Sequence, residues 1–249
     1  MKGRMRVPVL IWGFFGIFLG IASLKIMLLP TAFVEGDEDL LTGVASNILR
    51  PSPLSPQDEV IHLRVLIAAD EEYRERMSIY GMGWMEEALV VLERADNAFY
   101  RDFQINFLAA GFRKWESTDG INDGVELLME AQSDLNWREE KDGYDILLVF
   151  TGQDIQDYAG WAEHYSGSEE ADAVILQHQF DFWQRNRDWH VLQEELSHLF
   201  GAPDHISPSH PSYWREDIMS YRWLYHTDKW DNACMEIIQE NKHRFSRAG

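Results

Sequence analysis

The sequence predicts an α/β (α+β) fold: a mostly parallel, twisted sheet with an antiparallel edge strand, packed against helices and preceded by one transmembrane helix. Three observations predict it. Short β-branched runs alternate with segments whose apolar residues recur at helical spacing, the order that generates right-handed crossovers and parallel strands. One run, 144–150, is apolar on both sides, as in a strand buried at the centre of a sheet. Near the N-terminus lies an uncharged, mostly apolar run long enough to cross a bilayer.

That run covers residues 7–24, about 27 Å as a helix against the ~30 Å of a bilayer core. The chain stays apolar to Val34, longer than the apolar part of an ordinary cleaved signal. Residues 1–34 are therefore expected to be a retained signal-anchor. Lys2, Arg4 and Arg6 precede the span, and Glu35, Asp37, Glu38 and Asp39 follow it. The positive-inside rule then places the N-terminus in the cytoplasm and everything downstream outside a cell membrane crossed once. Gly20-Ile21-Ala22 offers a small-x-small cleavage site, so secretion after cleavage is the alternative. Residues 35–58 carry acids and then Arg50-Pro51-Ser52-Pro53-Leu54-Ser55-Pro56 with no apolar period, an extended tether.

Residues 59–249 form the expected folded domain. Residues 60–69 are β-branched and partly alternating, a strand closed by Asp70, Glu71 and Glu72. From 82 to 103, Met85, Leu89, Val90, Leu92, Ala95, Ala98 and Phe99 lie at helical spacing. A second strand (105–112), a second helix (125–135) and the central strand (144–150) follow. Residues 158–167, short and glycine-bounded, read as the edge strand, and 173–178 as the last strand. A helix is expected over 183–200 and a final one over 229–245.

Forty-two acidic residues against 22 basic ones, a net charge of −20, argue against a nucleic-acid partner, which requires a basic face. The single cysteine, Cys234, excludes an internal disulfide and a multi-cysteine zinc knuckle; it reads as a small buried residue on the last helix.

Within the 183–200 helix, Leu192, Leu196, Leu199 and Phe200 gather on one core-facing arc. Glu194 and His198, at i and i+4, stand one above the other off that arc, with Glu195 at its border. Two ligands one turn apart can grip an ion from one side, with a carboxylate beside them. Gly201 permits a positive-φ exit, and Pro203 stiffens a return that brings Asp204 back toward the ion. His205 competes with Asp204 by a one-residue shift. His190 lies two turns, about 12 Å, from His198 and is too far to share an ion with it. His62, His164, His178, His210, His226 and His243 lack ligand spacing.

Glu194-Glu195-x-x-His198-x-x-Gly201-x-x-Asp204 resembles the long zinc signature of the metzincin metalloproteases, departing at the first position, where a histidine is expected. Asp217-Ile218-Met219-Ser220-Tyr221 resembles the Met-turn of that clan, in a form similar to serralysins and astacins. The order of strands and helices from Val60 onward is similar too. The resemblance implies a zincin fold with an active-site helix, a Met-turn and a C-terminal helix. It implies metal ligation by Glu194, His198 and Asp204, with His205 as the alternative third ligand. It makes Glu195 the general base, Met219 the apolar floor of the site and Tyr221 a support for the oxyanion. A membrane-anchored zinc endopeptidase acting on peptide or protein substrates is the implied function; a metzincin-like binding or adaptor domain without catalysis is the alternative.

A glutamate at the first position changes the electrostatics. Ionised Glu194 and Asp204 cancel the charge of a divalent ion, which weakens it as a Lewis acid. Weaker zinc affinity, slower hydrolysis and a more alkaline optimum are expected than with two histidines. Oxygen-rich ligation also favours manganese or another harder ion as the alternative to zinc.

Overall fold

The computed structural model describes residues 59–140, 143–156, 159–167, 170–178 and 187–245. The expected anchor (1–34), the tether (35–58) and the first part of the expected 183–200 helix lie outside the described residues. Among the described residues, no helix is long and apolar enough to cross a membrane.

The elements follow in the order β1 (Ile61–Ala69), α1 (Glu71–Ile79), α2 (Trp84–Phe103), β2 (Ile105–Lys114), α3 (Gly124–Asp134), α4 (Trp137–Glu140), β3 (Ile146–Thr151), β4 (Gly160–Ala162), β5 (Ala173–Gln177), α5 (Asp188–His198) and α6 (Asn232–Asn241), with a 3₁₀ turn at Pro211–Trp214 before α6. The five strands form one sheet in the order β2-β1-β3-β5-β4. β1, β2, β3 and β5 pair in parallel, and β4 lies antiparallel to β5 at the edge, as expected.

Strand periodicity of two sorts the core onto the two faces of this sheet. Ile61, Leu63, Val65, Ile67 and Ala69 of β1, with Ile146, Leu148 and Phe150 of β3 and Val174 and Leu176 of β5, pack on one face against α1, α2, α5 and α6. The alternate residues, Leu66, Ala68, Leu147, Val149, Ala173 and Ile175, pack on the other face against Leu127, Leu128 and Ala131 of α3 and Trp137 of α4. Both β3 faces are buried, which accounts for its continuous apolar run.

Two helices differ from expectation. Asp70 does not close β1 into a loop; its side chain accepts from the Tyr73 N–H and caps α1. α1 buries only Tyr73 and Met77, too few apolar positions to show a helical period. α4 is a single turn that buries Trp137, whose indole N–H donates to Asp172. The edge strand is three residues long rather than ten. α2 ends at Gln104 in the left-handed conformation (φ 60°), and Asp123 and Asp231 cap α3 and α6.

Candidate metal centre and cleft

α5 is buried on nearly every side, unlike an ordinary amphipathic helix. Val191, Leu192 and Leu196 face the core, followed by Leu199 and Phe200 just past the helix end. Its polar residues are also buried, and some are tied to the C-terminal part of the chain. Ser197 Oγ donates to Gln193 O at 2.7 Å and accepts from Trp230 Nε1 at 2.9 Å, while Gln193 Nε2 donates to Asp228 O. Asp188, in the first turn, meets the His178 ring just after β5. Glu194, Glu195 and His198 are the polar residues of this helix that line the cleft.

The end of α5 is set by Gly201, at φ +88°, whose N–H donates to His198 O at 2.9 Å. A Cβ there would sit 3.1 Å from Tyr165 O and in a conformation strained for any side chain. Carbonyls left open at the end of the helix are met from α6 and beyond: Asn241 Nδ2 donates to Phe200 O and Arg244 Nη1 to Leu199 O.

The elbow orients the ligand candidates. His198 Nδ1 lies 2.7 Å from Ala202 O. A carbonyl only accepts, so Nδ1 carries a proton and Nε2 faces the other way, toward the carboxylates, where a metal ion would take the place of its proton. Nε2 lies 3.5 Å from Glu194 Oε1 and 3.3 Å from Asp204 Oδ1. Donors about 2.0–2.2 Å from a tetrahedral ion are separated by roughly 3.3–3.6 Å, so these two separations fit one. The chemistry of the set fits as well, since three carboxylates, Glu194, Glu195 and Asp204, converge on one imidazole in a largely buried site and call for a cation.

The proton affinities reflect this crowding. Burial, reinforced by Asp204 and opposed by His198, pushes Glu194 up to about 7. Burial and the neighbouring Glu194 push Glu195 well above the usual carboxylate range. Burial would lower His198, but hydrogen bonds to Asp204 and Glu194 outweigh it and raise the imidazole well above its ordinary value. Burial would raise Asp204, and its hydrogen bond to His198 outweighs that and lowers it.

These residues stand in a cleft of about 580 Å³ bounded by β4 along one side and the start of α3 on another. Gly160 of β4 lies so close to α5 that a Cβ there would come within 2.8 Å of Glu195 Oε1 and 3.0 Å of Val191. Among the described residues no strand pairs with the outer edge of β4. Tyr221 is half exposed and lines the cleft. So does His164, whose ring centroid lies 5.6 Å from that of His198. Spacing in the sequence pointed away from His164, because only the fold carries the end of the edge strand past the helix.

The structure sets Asp204, and not His205, against His198. His205 turns away into a separate buried group, with Nε2 3.2 Å from Asp217 Oδ2 and 3.3 Å from Cys234 Sγ. Its backbone N–H donates to Met219 O at 2.8 Å, which ties the elbow to the turn around Met219. Asp217 shapes that turn by accepting from Met219 N and Ser220 N, and Met219 itself is fully buried. His190 stacks on Trp189, and its half-burial pushes it down to about 4. Cys234 is buried, as expected of it.

With the geometry in view, the chain can be compared with known proteins. The family model described as metallo-peptidase family M12 matches residues 62–221, well over half of the chain. None of the curated proteins matches it. Among solved structures, a chaperone–substrate complex is similar at 12% identity with a TM-score of 0.53, covering 75% of this chain and 35% of that one. This chain thus spans about a third of that protein, and at such identity the likeness concerns the fold alone. Archaemetzincin from Methanopyrus kandleri is similar at 16% identity and a TM-score of 0.48, covering 74% of this chain and 97% of that one.

Proposed function

The chain belongs to metallo-peptidase family M12, and from that premise we propose that it is a membrane-anchored metalloendopeptidase whose divalent ion, zinc in the first instance, is held by Glu194, His198 and Asp204. The observation that carries this reading is the convergence of those three donors with Glu195 in a cleft bordered by a strand edge that no other strand among the described residues pairs with. When bound, the ion supplies a Lewis acid that polarises a peptide carbonyl and acidifies water.

The chain's own residues supply the rest. Glu195, buried at the wall of the cleft, takes the proton of the attacking water and returns it to the leaving amine. An extended peptide pairs with the outer edge of Gly160–Ala162, main chain to main chain, which sets its carbonyls over the cleft. The small residue at 160 keeps that edge close to Glu195. Tyr221, at the cleft wall, offers a phenol O–H to the developing oxyanion. The apolar run 7–24, with basic residues before it and acidic ones after, supports anchoring with this domain outside the membrane.

Glu194 favours a second reading, a binding or adaptor domain without catalysis, because a charge-neutralised ion activates water poorly. One experiment separates the two. The full-length chain in detergent is assayed for bound metal and for cleavage of an unfolded protein, with and without chelator. Chelator-sensitive cleavage, reduced about 10²–10⁴-fold in Glu195→Ala with the metal retained, supports the peptidase. Absence of metal at micromolar zinc overturns it, and unchanged cleavage in Glu195→Ala removes Glu195 from the mechanism.

A further inference from the structure

We infer that the chain carries a second, structural metal site, with a zinc-like divalent ion held by His205, Asp217, Asp231 and Cys234. One N, O or S atom from each of the four lies within 4.8 Å of those of the others. They come from three places: the elbow after α5, the turn before Met219, and the start of α6, where Asp231 is the N-cap and Cys234 lies in the first turn. All four are buried, at 3%, 0%, 7% and 0% exposure.

The separations bracket those around a tetrahedral ion, two of the three lying up to a few tenths of an ångström outside them. With Zn–N of about 2.0–2.1 Å, Zn–O of about 2.0–2.2 Å and Zn–S of about 2.3 Å, the donors around an ion stand roughly 3.3–3.6 Å apart. His205 Nε2 is 3.2 Å from Asp217 Oδ2 and 3.3 Å from Cys234 Sγ, and Cys234 Sγ is 3.9 Å from Asp217 Oδ2.

Hydrogen bonds tie the group together, yet His205 Nε2, Asp217 Oδ2 and Cys234 Sγ still face one another at its centre. His205 Nε2 has one valence position, a proton or a lone pair, yet it sits equally close to a carboxylate and a sulfur. Asp231 Oδ1 accepts from Cys234 N, while its Oδ2 is buried without a hydrogen-bond partner. Among the described residues neither Asp217 nor Asp231 is ion-paired to a lysine or arginine. Asp217 is fully buried without a lysine or arginine beside it, and a cation at the centre of the four donors relieves the cost of desolvating it.

Four buried protein donors leave no open position, so the site is structural, in contrast to the cleft. Its ligands alternate in purpose with those of the first site: Asp204 turns to His198 and His205 to Cys234. An ion here joins the elbow, the Met219 turn and α6, and thereby steadies Asp204.

The test uses the full-length chain loaded with cobalt(II). Cys234 is the only cysteine, so a thiolate-to-cobalt charge-transfer band reports on this site and on no other. The band is expected at one equivalent, unchanged in His198→Ala, and lost in Cys234→Ser. Asp231→Asn is expected to weaken cobalt binding at the band by tenfold or more. Cobalt binding without a thiolate band in the unaltered chain overturns the site, as does a band indifferent to Asp231→Asn. The inference is independent of the peptidase reading, since loss of the first ion leaves the band in place.

Discussion

At the scale of single residues, the proposed metal site has a glutamate where a neutral ligand would leave a divalent ion positive. Glu194 was legible from spacing, as was Asp204; the orientation that lets His198 present Nε2 to both was not, because it rests on Ala202 O. His205 shows the limit of spacing most clearly. One residue along the chain from Asp204, it belongs to a different group of side chains. Replacing Glu194 by histidine restores a net positive ion, so Glu194→His is expected to bind zinc at least tenfold more tightly, about 1.4 kcal/mol. Competition against a chelating dye measures this. Equal or weaker binding would refute the electrostatic account.

At the scale of elements, the strongly periodic segments were readable and the short ones were not. β1, α2, β3 and β5 carry enough apolar residues at one spacing to declare themselves. α1 does not, and its existence hangs on Asp70. That carboxylate is fully buried and accepts from Tyr73 N at 2.8 Å and Gly152 N at 2.9 Å, and the Thr151 hydroxyl donates to it as well. It therefore caps α1 and clasps the end of β3 together. Asp70→Ala removes the cap and strands buried donors, at a cost of roughly 2–4 kcal/mol. Urea unfolding of the domain should show this as a lower midpoint; a loss under about 0.5 kcal/mol would mean the clasp contributes nothing.

At the scale of the whole molecule, the buried carboxylates of the cleft couple folding to pH and to metal. Glu194 has a folded-state value of about 7 against an ordinary 4.5, so the folded chain holds the proton more tightly than the unfolded one. A raised value of this kind stabilises fully below about pH 4.5 and ceases to do so as pH rises through 7. Glu195 shifts in the same direction. In chelator, the melting temperature is therefore expected to fall by several degrees between pH 5 and pH 7.5, on the order of 1–3 kcal/mol. Glu194→Gln should flatten that slope. Zinc, which competes with the protons, should raise the melting temperature more at pH 7.5 than at pH 5. A chelated protein equally stable at both pH values would contradict the burial of these groups.

Local chemistry sufficed for the α/β order, for the parallel centre and antiparallel edge, and for the helix that carries Glu194, Glu195 and His198. Each of those rests on periodicity or on spacing within a few residues. It did not suffice for what depends on segments far apart in the chain. The approach of Gly160 and His164 to α5, the closing of α5 by Asn241 and Arg244, and the meeting of His205 with Asp217, Asp231 and Cys234 arise only when the sheet and its two layers of helices are packed. Burial then decides the chemistry, because the same carboxylates that would be ordinary surface charges on an isolated helix become, inside the fold, groups that hold a proton or a cation.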